Sequence, residues 1–236
     1  MKKLYTAILT ITALTMASQL IAGPFVPDEE PLPAPVVPVP APAPAPVLPA
    51  LDANGVLDLS DRGLGDAGII AIAPHFSAEM REIWLNGNDI GPAGAQAIAN
   101  NLNRAQGLVH IELGGNHIGG EGARALVQQL PNGFETIFLP GNNLGDAEVE
   151  ALAQLPLPPS LGMLVLSHNN IGNVGIIALA HSLQQNPIAN QSVLQFAGNE
   201  FGDEGRQALN AAGYEEMGGV GVWMRNVPAG LAGAGH

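Results

Sequence analysis

The sequence predicts an α/β solenoid, with parallel strands lining one side and helices the other. Three observations lead there. A short pattern, L-x-L-x-x-N-x-L-G with Ile or Phe admitted at the Leu positions, occurs six times between Leu57 and Gly205. The copies start at Leu57, Ile83, Ile111, Ile137, Leu164 and Leu194, spaced 26 to 30 residues apart. Within a copy the apolar period changes from two residues to about 3.6, as a strand followed by a helix requires. A fixed period of this length marks stacked units, each burying its apolar face only against its neighbours. Because every crossover repeats in the same sense, the strands come out parallel.

The elements follow in chain order. Residues 1–22 open with Met1-Lys2-Lys3, continue through an apolar stretch and end in small residues. They read as a cleaved secretory signal, the alternative being an uncleaved anchor of near-spanning length. Residues 23–50 hold 11 Pro among 28 residues, mostly alternating with Ala and Val. Such a chain forms neither helix nor ladder and favours extended polyproline II. It is expected to act as a disordered linker, either a stalk or a passive leader. Residues 51–226 form the repeat domain. Within it, Gly213 to Asn226 is expected to cap the open end, with Val220 to Met224 as a covering strand. Residues 227–236 read as a disordered tail.

The second copy shows how one unit works. Ile83 and Leu85 point inward from a short strand while Glu82, Trp84 and Asn86 point outward. Asn88 stands in the bend leaving the strand, where its side chain satisfies backbone groups and stacks under the next Asn. Gly91 is expected to supply a turn with an unusual backbone angle. Ala95, Ile98, Ala99 and Leu102 then mark the inward face of a helix. Asp66, Asp146 and Asp203 follow the turn Gly and are expected to cap the helices they begin. Gly68, Gly94, Gly122, Gly175 and Gly205 are expected to let helix and strand pack closely.

On these residues the chain resembles the leucine-rich-repeat proteins. Gly91-Pro-Ala-Gly94-Ala95-Gln-Ala97-Ile98-Ala99-Asn-Asn-Leu102 is similar to the helix of the ribonuclease-inhibitor-like subclass. The resemblance covers roughly residues 51 to 212 and implies a right-handed horseshoe that binds proteins on its concave face. Arg62 departs from the pattern by replacing Asn in the first copy. The Cys-rich end caps of many extracellular members are missing, as the chain contains no Cys.

Laid onto this chain, the concave face carries three rows. The outward row is Asp58, Trp84, Glu112, Phe138, Val165 and Gln195. The row before it holds Glu82, His110, Thr136, Met163 and Val193, and the row after it includes Asn86, Gly114 and Pro140. Acidic groups gather early, at Asp58, Asp61, Glu82 and Glu112, and apolar groups later, at Phe138, Met163 and Val165. The candidate contact set is therefore Asp58, Asp61, Glu82, Trp84, His110, Glu112, Phe138, Met163 and Val165. Aromatic rings beside carboxylates fit a protein-binding hot spot for a basic partner.

Charge points the same way. After loss of residues 1–22 no Lys remains, and six Arg stand against 21 acids, a net charge of −15. Nucleic acid and anionic lipid, which need a positive surface, are poor partners. The lack of Lys also removes side-chain sites for ubiquitin, which would suit a factor entering a host cell. No cofactor is expected. His110, Glu112 and Glu82 lack the further ligand a metal site would need. There is no G-x-S-x-G elbow and no Cys nucleophile. The sequence thus predicts a non-enzymatic, monomeric, exported binding module of bacterial type, secreted or held in the envelope. It would not insert in a membrane once cleaved. The alternative is a structural envelope protein presented on the Pro-rich stalk.

Overall fold

The computed structural model describes residues 48–189 and 192–225. The leader, most of the Pro-rich segment and the C-terminal tail lie outside the described residues. The repeats run β1 (Val56–Asp58), α1 (Gly65–Ile72), β2 (Glu82–Trp84), α2 (Pro92–Asn101), β3 (His110–Glu112), α3 (Gly119–Gln128), β4 (Thr136–Phe138), α4 (Asp146–Ala153), β5 (Met163–Val165), α5 (Asn173–Gln185), β6 (Val193–Gln195) and α6 (Asp203–Ala211). A hairpin of β7 (Tyr214–Met217) and β8 (Val222–Arg225) follows. The sheet is open, in the order β1-β2-β3-β4-β5-β6-β8-β7. It is parallel through β6 and antiparallel beyond. The predicted fold class holds: an α/β repeat solenoid.

Register explains the core. Leu57, Ile83, Ile111, Ile137, Leu164 and Leu194 stand side by side across the sheet and are all buried. The expected helix positions join them in one cluster, including Ile69 and Ile72 of α1, Ile98 and Ala99 of α2, and Ile176 and Leu179 of α5. Each fully buried Leu or Ile contributes about 1.5–3 kcal/mol, so stacked apolar rows supply most of the driving force. Ala153 and Leu130 lie only partly inside. Leu48 and Leu51 pack against the cluster near its first repeat.

The strands are three residues long, but their ladder continues into the bend. Leu59 N–H donates to the Trp84 carbonyl at 2.9 Å and Asp61 N–H to that of Asn86 at 2.8 Å, and the same two bonds recur along the stack. Past that point the chain turns inward, and the Asn side chains take over. The Asn116 Oδ1 accepts the N–H groups of Asn88 and Ile90, both at 3.0 Å. Its Nδ2 donates to the carbonyls of Leu85, Leu113 and Gly114 at 2.9–3.3 Å. Asn88, Asn142, Asn169 and Asn199 repeat this arrangement. An amide carries donor and acceptor together, which is what a bend with unpaired backbone groups of both kinds requires. Arg62 needs no such role: it is the first bend, and its own N–H is taken by Asn88 at 3.0 Å.

The residue before each ladder Asn, and Asp61 before Arg62 in the first copy, adopts a left-handed conformation, with φ between 54° and 72°. Four copies use Gly there, but Asp61 and His168 do not. The expectation for Gly91 was wrong. Its φ is −95°, so it starts α2 from extended backbone as any residue would. Helix starts are also capped differently from the prediction. The Asp66 carboxylate does not cap α1; it accepts the N–H groups of Gly91 and Gly94 at 2.7 and 2.8 Å, capping α2 in the next repeat. Asp146 does the same for α5 through Gly172 and Gly175, and Asn173 for α6 through Gly202 and Gly205. Gly120 has nothing to hand on, and Glu148 instead caps its own helix α4 through Gly145 N–H at 2.9 Å. Gly94, Gly175 and Gly205 face these caps, while Gly68 and Gly122 meet Leu64 and Ala95 instead: a Cβ at Gly94 would lie 2.6 Å from Asp66 Oδ1 and 2.8 Å from Ile90.

The cap is aromatic. Trp223 lies in register with Leu194, as a seventh inward residue would. Phe196 and Phe201, where other copies hold Leu or Ile, meet edge to face at 5.9 Å, and Phe201 approaches Trp223 at 6.5 Å. Arg206 lies over Phe201 at 5.7 Å and pairs with Glu216. Tyr214 is buried, and its hydroxyl meets Ser192 Oγ at 2.9 Å. The covering strand is shorter than predicted: Val220 lies exposed in the hairpin turn.

Two outcomes are expected. Asn116→Ala strands several buried N–H and C=O groups and lowers the unfolding free energy by about 3 kcal/mol or more, measured by urea denaturation. Desolvation by burial pushes the Tyr214 hydroxyl above its ordinary value, against the opposing Ser192 bond and Arg225 charge. The folded state therefore holds this proton more tightly than the unfolded state. Its contribution is complete below the ordinary tyrosine value and is lost as pH rises past it into the alkaline range. Tyr214→Phe should flatten that alkaline decline while costing about 1 kcal/mol at neutral pH through the lost bond.

Candidate functional site

The solvent face of the sheet is assembled by strand register. Val56, Glu82, His110, Thr136, Met163 and Val193 form one row, and Asp58, Trp84, Glu112, Phe138, Val165 and Gln195 the other. Apart from Val56, which the sequence reading left out of the first row, these are the rows read from the sequence. Trp84, Glu82, His110, Glu112, Phe138 and Met163 are half-buried, while Asp58 and Asp61 are exposed. Val165 is an exception within the candidate set. At 2% exposure, between Phe138 and Gln195, it has almost no surface to offer a partner.

The polar groups of this face are joined. Trp84 Nε1 donates to Glu82 Oε2 at 3.1 Å, two residues back on the same strand. The Glu112 carboxylate is occupied on both oxygens. His110 Nε2 meets Oε1 at 3.1 Å, and Asn86 Nδ2 donates to Oε2 at 2.6 Å. Asn86 Oδ1 in turn accepts the Gly114 N–H at 2.7 Å. Gly114 is the low point of the face: a Cβ there would come within 3.0 Å of Pro140, 3.1 Å of Asn86 and 3.3 Å of the Phe138 ring. Thus Asn86 and Phe138 close over Gly114 from either side. The acidic groups are accordingly not all free charges. Glu82 and Glu112 hold neighbours in place, and Asp58 and Asp61 are the outward ones.

The second half of the face extends beyond what the sequence reading assigned. Met224 continues the row of Met163 and Val193, and Val222 continues that of Val165 and Gln195, with Met217 next to it. Met217 and Met224 are exposed. The alternation of Val222, Trp223 and Met224 was available as a signal, but the antiparallel pairing that turns Met224 outward beside Val193 was not. Among the described residues no group of three or more His, Asp or Glu converges to hold a metal. Asp61 is set apart from the rows, in the bend, where its carboxylate lies over Gly87.

Two grooves accompany this face. One, of about 400 Å³, lies beside the first strand and is bounded by Pro49, Asp52, Asp58, Arg62 and Trp84. The other, of about 520 Å³, runs over the bends of repeats three to five, past His117, Asn143, His168 and Asn170. The first opens on the candidate residues, whereas the second lies along the Asn ladder.

Four segments, residues 80–99, 107–127, 160–180 and 192–209, match the family model described as a leucine-rich repeat. They correspond to the second, third, fifth and sixth repeats. No curated protein matches in sequence. Among solved structures the chain is similar to an internalin from Listeria monocytogenes at 17% identity, over 59% of this chain and 35% of that one, with a TM-score of 0.38. The chain thus spans about a third of the length of that protein.

One outcome follows from the polar network. Its members are partly open to water, so Glu112→Ala should cost less than about 1 kcal/mol of stability, measured by urea denaturation, although it releases both His110 and Asn86.

Proposed function

We propose that this leucine-rich-repeat protein is an exported, non-enzymatic module that binds a basic protein partner on the solvent face of its sheet. The observation that carries this reading is the pair of half-buried rings, Trp84 and Phe138, held in fixed register on β2 and β4 with the polar Glu82, His110, Glu112 and Thr136 around them. Rings of this kind bring large contact area at low entropic cost when they are already oriented. Trp84 is oriented by Glu82, and Phe138 rests over Gly114. Asp58 and Asp61 supply the outward negative charge, and the net charge of the chain, −13 with its leader, favours a cationic partner. Met163, Met217 and Met224 offer adaptable apolar contact at the far end.

Export is supported by the leader pattern and the Pro-rich segment, and no helix among the described residues is long and apolar enough to cross a membrane. The helix in every repeat, with a period of 26 to 30 residues, supports the ribonuclease-inhibitor-like subclass. The covered end at β7 and β8 supports a monomer that binds by its face rather than by stacking end to end.

The test is a pull-down with the immobilised full chain at low and moderate salt. Trp84→Ala and Phe138→Ala should each weaken capture by about tenfold or more, with far-UV spectra unchanged, and capture should decline as salt rises. Undiminished capture by both variants would remove the assigned face. Recovery of the protein from culture fluid supports export as a free factor, whereas recovery only with the envelope fraction favours the stalk-presented alternative.

A further inference from the structure

The groove beside the first strand has features that a general contact surface does not need. Trp84, Val56 and Pro49 lie on its lining, together with the acidic residues Asp52 and Asp58. The indole cannot swing away without losing its bond to Glu82, so its face is presented in a fixed direction. Asp58 Oδ1 accepts the Ser60 N–H at 3.0 Å, and no donor among the described residues reaches its second oxygen. Asp52 is held by the N–H groups of Asn54 and Val56, both at 2.8 Å. The Val56 bond in particular keeps its carboxyl below the usual range, so it stays ionised.

Arg62 is the one cation on the lining among the described residues, and it is committed: its Nη2 donates to the Asp58 backbone carbonyl at 3.1 Å. Among the described residues the lining therefore carries two carboxylates against one guanidinium, beside an oriented indole. A desolvated cation over an indole is attracted by the ring, and a nearby carboxylate adds to that attraction. An anion would meet two like charges, and an apolar side chain would leave both carboxylates without a counterpart.

We infer that this groove seats one guanidinium or ammonium side chain of the protein partner, laid against the Trp84 ring and facing Asp58. The inference rests on the reading of the strand face as a binding surface, and it names the chemistry of one contact on it. Arg62 has a definite part in it. As a like charge on the lining it weakens the seat, so its removal should tighten binding, the reverse of what loss of a supporting residue would do.

The test uses the full chain with labelled tryptophan indoles. The protein has two Trp, and Trp223, buried in the distant cap, serves as an internal control. The probe is N-acetyl-Gly-Arg-Gly-amide, compared with the same peptide carrying uncharged citrulline and with one carrying Glu. The expected result is a saturable shift of the Trp84 Nε1–H signal with the Arg peptide and none at Trp223. Binding should be about fivefold weaker with citrulline and with Asp58→Asn, and about fivefold tighter with Arg62→Gln. No shift at Trp84, an equal response to citrulline, or a preference for the Glu peptide overturns the seat. In the pull-down, an Asp58→Asn variant that captures normally while Phe138→Ala does not would overturn the seat and leave the wider face standing. Loss of neither removes the face itself.

Discussion

The Asn side chains in the bends are what the rest of the molecule depends on. A parallel sheet joined by helices must turn its chain sharply inward at the end of every strand, and those turns bury backbone N–H and C=O groups that no ladder can reach. Left unpaired, each would cost on the order of 1–3 kcal/mol. Asn116 alone satisfies four such groups, the N–H groups of Asn88 and Ile90 and the carbonyls of Leu85 and Leu113, drawn from two successive repeats. Because the amide reaches across to the preceding unit, it also fixes the distance between units. Strand register, the inward apolar rows and the outward rows all inherit that spacing.

The same logic of borrowing from a neighbour appears at the helix starts. Asp66, Asp146 and Asn173 serve the helix of the following repeat rather than their own. Where Gly120 breaks the chain of hand-overs, Glu148 moves into the space and caps from within. A repeat is therefore not a closed module. Its polar needs are met by the units on either side, which is why both ends require different chemistry: Arg62 and the Leu48–Leu51 contacts at one, and a hairpin with Trp223, Phe196 and Phe201 at the other.

The solvent face is the part of the molecule that this scaffolding leaves free to vary. Its residues are not a uniform acidic field. Glu82 and Glu112 are engaged in orienting Trp84, His110 and Asn86, while Asp58 and Asp61 face outward. The face changes character along the stack, from carboxylates and indole near β1 to Met163, Met224 and Met217 near the cap. A ligand lying across it would meet charge first and soft apolar surface last, an asymmetry that also fixes its direction.

Much of this was legible in the residues. The period, the strand and helix positions, the inward rows, the Asn ladder and the order of the outward rows all follow from a pattern repeated six times, because the same sequence in the same place must solve the same local problem. What the sequence left undecided concerned contacts between units. Which helix Asp66 caps, whether Gly91 or the residue before Asn88 carries the left-handed turn, and how far Val165 is covered depend on atoms 25 or so positions away. The hairpin's Met217, Val222 and Met224 join the face only through antiparallel pairing, which no repeat announces. Nor does the sequence reveal that the carboxylates of Glu82 and Glu112 are already engaged, or that Trp84, Asp58 and Arg62 enclose one groove. Local pattern determines what each unit is, and only the stacking of one unit on the next decides which of its groups remain available to bind.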